Sequence, residues 1–388
     1  MRARGPAVPL CVLALAAGPL PAQTAPPPWR RSVFGYPFYS GVEGVDLNAT
    51  VGYHRASPEG RLATAGQVDL SLRYTGAGTR IVSLAGAAPG LRPGWRVFAL
   101  VAGERYARFP YYGVGNASVR SAAIEDSLGP EYYKYDLWRA TVFVAAQREL
   151  GPWLRLHVAA QARRYRVRPL GRPTRLGAEL AGGAVADTGT AGGLELRAGL
   201  VADTRDFEPA PRRGTRVEAV VGRGVAALYG RSYTRALLLG AAYVPAGRAV
   251  VAVRGQVEVA SRRIPLPVMA ERLTAWGPED HVGGFATVRA SWTGRWLAPD
   301  RAVVNAELRV PVRIRIPTRP GADTLWVAPF ADLARVWGAG ESFGLSGVHG
   351  GAGVQLTLQM SRGGRTSLSV AHSADAPLRI LLGAGFVY

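Results

Sequence analysis

The sequence predicts an all-β fold, a transmembrane antiparallel β-barrel of sixteen strands. Three observations predict it. Apolar and polar residues alternate with period two along nearly the whole chain, as one-sided strands require. Hydrophobic residues make up 48% of the chain, yet beyond the first two dozen residues no apolar run reaches helix-spanning length. Segments with helical periodicity are nearly absent, so the chain supplies nothing to cover so many apolar faces, and lipid would cover them. A soluble all-β domain also alternates, but its strands usually run to five or six residues, whereas these run to about ten or more.

The elements follow in order. MRARGPAVPLCVLALAAGPLPAQ opens with Arg2 and Arg4, continues apolar from Val8 to Ala17 and ends in small residues. That order is a secretory signal peptide over residues 1–22, too short in its apolar part to span a bilayer. Residues 23–31 form a short periplasmic tail, and the barrel occupies 32–388. Its first strand, 32–40, carries Phe34, Tyr36 and Phe38 on one face, with Pro37 weakening its pairing as suits a seam strand. Strands then fall near 43–53, 63–74, 78–87, 94–104, 132–147, 152–166, 192–203, 214–224, 231–243 and 248–260. After a long connection come 301–313, 324–337, 348–360, 363–373 and 377–388. The clearest is 301–313, where Arg301, Asn305, Glu307, Arg309 and Arg313 share one face and Val304, Leu308, Val310 and Val312 the other. The last strand alternates through Leu378, Ile380, Leu382, Ala384, Phe386 and Tyr388. Sixteen is an even count, and roughly 23 residues per strand with its connection is a workable spacing. Short connections such as ELGP and VPAG belong on the periplasmic side and the long ones outside.

Composition excludes several function classes. The only cysteine, Cys11, lies in the signal segment, so neither disulfides nor a cysteine metal site is expected, and no cofactor is indicated. The net charge of +20 is almost all arginine, spread evenly without a cluster or recognition motif, which argues against nucleic acid as a partner. No GxSxG or phosphate loop occurs. His372 lies beside Ser373, but Asp375 falls in the adjoining loop, so no enzyme activity is expected.

Several motifs resemble one family. HVGGFATVRASWTGRW sits in the longest connection, ahead of the strand carrying AELR; WVAPFADLARVW follows it, and FPYYGVGNAS and VADTRDFEPAPRRG precede it. With the aromatic C-terminus these resemble the BamA/TamA-like bacterial surface antigen superfamily of outer-membrane barrels, over residues 32–388. The resemblance implies sixteen strands and a long sixth extracellular loop folded into the lumen. It also implies a salt bridge from an Arg of that loop, here Arg289 after Val288, to an Asp on strand thirteen, here Asp332 after Phe330. Tyr112, Gly113, Gly115 and Asn116, then Asp203, Arg205 and Asp206, then Glu307 and Arg309 match further family segments. Ala290 and Ser291 stand where the family has Gly and an aromatic, and Ala334 where Gly is usual. The ion pair needs neither glycine, whereas close approach of the loop backbone does.

The same resemblance implies a C-terminal assembly signal, Leu382, Phe386 and Tyr388, read by the barrel assembly machinery during insertion. It implies residence in the bacterial outer membrane among its lipids and lipopolysaccharide, and a role in protein or lipid translocation or outer-membrane biogenesis. Assembly members of the family carry periplasmic POTRA repeats. Only about ten residues lie between signal and first strand here, so a barrel-only member is expected, served by a separately encoded periplasmic partner. The rival reading is a passive, anion-preferring porin, because Arg73, Arg155, Arg163, Arg197, Arg216, Arg248, Arg254, Arg309 and Arg365 fall on lumen faces. Glu195, Glu218, Glu258 and Glu307 are their partial partners, and an Arg–Glu network around an inserted loop is the alternative use of the same charges.

Overall fold

Sixteen strands follow one another in chain order, each antiparallel to its neighbours, in one continuous sheet. The computed structural model describes residues 27–40, 44–57, 60–277, 279–280, 282–314, 323–338, 340–359 and 365–383. The signal segment and the C-terminal residues Phe386 and Tyr388 lie outside the described residues. The strands are β1 (Arg30–Ser40), β2 (Gly44–Ala56), β3 (Thr64–Thr75), β4 (Arg80–Arg92) and β5 (Trp95–Pro110). Next come β6 (Lys134–Glu149), β7 (Leu154–Arg168), β8 (Gly189–Asp203), β9 (Gly214–Leu228), β10 (Arg231–Ala246) and β11 (Ala249–Ala260). The last five are β12 (Asp300–Ile314), β13 (Asp323–Trp337), β14 (His349–Gln359), β15 (Arg365–Ser373) and β16 (Arg379–Gly383).

All sixteen segments fall where alternation places them, with longer ends in several cases. β1 begins at Arg30, paired with His54, two residues before the barrel boundary drawn from sequence. β5 continues to Pro110 through an irregularity between Tyr106 and Phe109 that breaks the alternation there. Three short helices, α1 (Ala122–Leu128), α2 (Arg175–Ala181) and α3 (Leu266–Met269), lie in connections and carry no period-two signal. Ser121 and Thr174 cap the first two by accepting from Ile124 and Gly177 N–H, at 3.4 and 3.0 Å.

The sheet is inverted relative to a water-soluble one. Val142, Val144, Leu196, Val221 and Leu238 are 46–60% exposed on the outer face, while Gln161, Glu195, Asp203 and Asp332 are fully buried on the inner face. Leaving that much aliphatic surface in water is unfavourable at about 25 cal/mol per Å², so the outer face is built for hydrocarbon. No described helix is long and apolar enough to cross a membrane.

The connections sort by end. One end has the tight ones, including 93–94, 150–153 and 247–248; the other has 111–133, 169–188 and 261–299. At that second end even β9 and β10 meet in a two-residue turn, Tyr229–Gly230, with φ of 52° and 70°. Segment 261–299 is the sixth connection at its end, and we call it loop 6.

Candidate functional site: a loop held inside the barrel

Loop 6 has two stretches that reach the inner wall. The first follows α3, whose Leu266, Val268 and Met269 pack with Phe109, Tyr135, Tyr165 and Tyr233 of the wall. Immediately after it, Glu271 receives Arg139 Nη1 at 3.2 Å and Arg163 Nη2 at 2.9 Å, and the Tyr165 hydroxyl donates to it as well. Arg235 donates to the Glu271 carbonyl at 3.1 Å, and Arg197 to the Thr274 carbonyl at 2.9 Å. The Leu273 and Ala275 N–H groups donate to Glu258 and Glu218 at 2.9 and 3.2 Å. Four residues of one segment therefore touch β6, β7, β8, β9, β10 and β11, which the sheet allows only by curving around them.

The second stretch centres on Arg289, fully buried. Its backbone N–H and Nε donate to Asp332 Oδ2 at 2.9 Å each, and Nη2 donates to Oδ1 at 2.7 Å. Nη1 donates to Glu307 and, at 3.1 Å, to Gln355. The guanidinium lies 3.5 Å from the centre of the Phe330 ring. One cation thus joins β12, β13 and β14, with its fork satisfied bidentately by a carboxylate and its flat face by an aromatic. Around it, Asn305 donates to Asp332 at 2.7 Å and to the Thr287 carbonyl at 2.6 Å, Arg254 donates to the Ala286 carbonyl at 2.8 Å, and Arg309 donates to Glu307 at 2.7 Å.

The two missing glycines are absorbed locally. Ala290 faces Gly351 of β14, where a Cβ would lie 2.2 Å from the Ala290 methyl, so the space for close approach comes from the wall instead of the loop. Ala334 is buried with Val288, Val282, Trp296, Val303 and Val336 in one apolar cluster, where its methyl fills space. Ser373 donates to the Ala290 carbonyl at 2.8 Å and fixes the turn from the other side.

Beyond Arg289 the loop reaches the last strand. Trp292 holds the guanidiniums of Arg120 and Arg379 over its ring, 4.4 and 4.3 Å from its centre. Phe285 covers Gly383, where a Cβ would lie 2.4 Å from the ring. Arg295 donates to Asp375 at 2.6 Å and to the Ser118 carbonyl at 2.8 Å.

The remaining residues singled out from the sequence lie at two other places. Asn116 donates to the Gly347 carbonyl at 2.8 Å and accepts from Val336 N–H at 3.1 Å, while Gly115 N–H donates to the Leu297 carbonyl at 2.8 Å. Tyr112 stacks on Tyr133 at 5.2 Å, and burial pushes its phenol pKa up. This group closes the long-loop end. Asp203 lies at the opposite end, buried against Arg205 at 2.8 Å and Arg155 at 3.0 Å. Arg61, from the connection between β2 and β3, donates to the Asp203 carbonyl at 2.8 Å and ties the two turns together across that end. Burial raises the Asp206 carboxyl, but backbone N–H groups of Arg212, Arg213 and Phe207 outweigh it and hold the group below the usual carboxylate range. Leu382 points outward from β16 and is 42% exposed.

Most of the lumen arginines are engaged, whereas Arg365, 5.9 Å from the Phe207 ring, has Nε and Nη2 buried without a hydrogen-bond partner among the described residues. Arg73 meets Asp46, Arg163 and Arg197 meet Glu195, Arg216 meets Glu218, and Arg254 meets Asn305. Arg248, expected on a lumen face, instead sits exposed in the turn between β10 and β11, where strand alternation has ended. Sequence reasoning missed Glu271, although a charged pair, Glu271–Arg272, inside the otherwise apolar IPLPVMAERLTAW is the signal that marks it.

The Omp85 superfamily domain matches residues 130–377. The chain belongs to the Omp85 superfamily. Three solved chains are similar in fold. BamA from Haemophilus ducreyi lacking POTRA domains 1–3 aligns with 92% of this chain and 70% of its own, at TM-score 0.58 and 13% identity. CdiB from Escherichia coli aligns over 90% of this chain and 61% of its own, at TM-score 0.58 and 11% identity. CdiB from Acinetobacter baumannii aligns over 92% and 65%, at TM-score 0.50 and 10% identity. No curated protein matches in sequence. This Omp85 chain is therefore a sixteen-stranded antiparallel barrel of the kind BamA and CdiB have.

Proposed function

We propose that this Omp85 barrel resides in the bacterial outer membrane and acts in protein or lipid translocation or in outer-membrane biogenesis. The observation that carries the proposal is the occupied lumen: loop 6 is bound to the inner faces of β6 through β14, which suits a gated or assembling barrel and leaves a passive porin without an open path. In this reading the long-loop end faces outside. The barrel assembly machinery reads the last strand during insertion, and a separately encoded periplasmic partner delivers cargo. The chain works without catalysis or cofactor. His372 bonds the Pro377 carbonyl at 2.7 Å on the outer face while Ser373 points to loop 6, so the two form no nucleophile–base pair.

Reconstitution tests the proposal. Mature chain is placed in phosphatidylcholine vesicles, and a small eight-stranded outer-membrane barrel is added from urea. Folding of the added barrel faster than in empty vesicles supports a biogenesis role; equal rates contradict it.

A further inference from the structure

The outer face of the sheet is uneven in charge at the long-loop end. Along β7 the outward residues read Leu154, Leu156, Val158, Ala160, Ala162, then Arg164, Arg166 and Arg168. From Leu154 to Ala162 the strand rises about 26 Å. At a barrel tilt near 40° that is roughly 20 Å along the axis, close to the height of an apolar band. The three arginines begin where that band ends. Arg164 and Arg168 are exposed and Arg166 is half-buried. None of the three has a carboxylate partner among the described residues. In register, Trp138 of β6 lies between Arg166 and Arg105 of β5, so Arg105 adds a fourth guanidinium about 10 Å across the sheet. Asp136, the acid beside them, is already paired with Arg105 at 3.0 Å.

The other half of the rim is different. Near the long-loop ends of their strands the outward residues there include Val257 and Val259 on β11, Ala302 on β12, Leu333 on β13 and Ile380 on β16. Arg335 of β13, the cation there, donates to the carbonyls of its own loop at Ser346 and Ser342.

We infer that Arg105, Arg164, Arg166 and Arg168 form a binding surface for the phosphate groups of outer-leaflet lipid. The inference rests on the outer-membrane reading above. A lipid-facing arginine costs about 2–4 kcal/mol at the bilayer midplane and about 0–1 kcal/mol at the interface, so this row is tolerated only at headgroup level. There a phosphate offers the oxygen fork that guanidinium prefers, and Trp138 sits at the depth aromatic rings favour. A row of guanidiniums about 7 Å apart along one strand suits a headgroup with more than one phosphate.

The test uses mature chain folded in detergent micelles, with diphosphoryl lipid A or its fully dephosphorylated form as probe and native mass spectrometry as readout. Wild type should retain the diphosphoryl form with at least about tenfold preference, weakened by salt. R164Q/R166Q/R168Q should lose that preference, while the charge-matched R212Q/R213Q/R248Q at the opposite end should keep it. In wild type, diphosphoryl lipid A alone should shield Arg164, Arg166 and Arg168 from phenylglyoxal, which needs no variant to fold. Equal retention of both lipids, equal loss in both variants, or no shielding shows a merely solvated charged face and overturns the inference. If the chain still migrates as a heat-modifiable barrel, the membrane reading survives that failure; a chain that never enters micelles overturns both.

Discussion

The two stretches of loop 6 are held in opposite ways. The stretch around Glu271 spreads its contacts over six strands, and its wall partners have second partners: Arg139 also holds Glu104, and Arg163 also reaches Glu195. The stretch around Arg289 puts three strands on one guanidinium, with Asp332, Glu307, Gln355 and Phe330 all converging on it. A shared network tolerates loss of one member, whereas a focused one does not, since removing one partner strands a buried charge.

Substitutions separate the two modes of attachment. The largest effect belongs to R289A, which leaves Glu307 its Arg309 but leaves the buried Asp332 with no cation, only neutral N–H donors such as the amide of Asn305; destabilisation of about 3–5 kcal/mol is expected, read from denaturant midpoints in micelles. E271Q removes the charge that Arg139 and Arg163 share but leaves them Glu104 and Glu195, so about 2–3 kcal/mol is expected. A loss from E271Q equal to that from R289A would erase the distinction between the stretches. G351A drives a methyl toward Ala290 and costs about 1–3 kcal/mol. Adding A290G should recover only part of it, because the His372 carbonyl would still lie 2.7 Å from the new Cβ. Full recovery in that double-mutant cycle would contradict the packing described. The smallest effect is expected for W292A, about 1–2 kcal/mol, since it removes the ring beside Arg120 and Arg379 and one long hydrogen bond to the Asp375 carbonyl at 3.3 Å, with no charge left buried.

What the sequence made legible follows the same division. The wall was readable because each strand is one-sided: Leu156 and Val158 against His157, or Leu308 against Glu307 and Arg309, show their faces within a few residues. Strand ends were less legible. Phe109–Tyr112 is aromatic on both faces, so β5 reaches Pro110 with no alternation to mark it. Arg289 and Asp332 were reached through motif resemblance, since 43 residues separate them and periodicity says nothing about a loop. Glu271 is hidden for the same reason: its partners Arg139 and Arg163 lie more than a hundred positions away, and only curvature of the sheet around the loop brings them together. The role of Gly351 was equally hidden, because a glycine on a lumen face reads as a gap until Ala290 is seen to fill it.

Loop 6 occupies the lumen, and the Arg289–Asp332 pair locks it there. Single-channel recording in planar bilayers tests this most directly, with wild type and D332A compared at equal protein load. Wild type should give little or flickering current and D332A frequent, longer openings. A steady, anion-selective current from wild type, unchanged by D332A, would contradict the account.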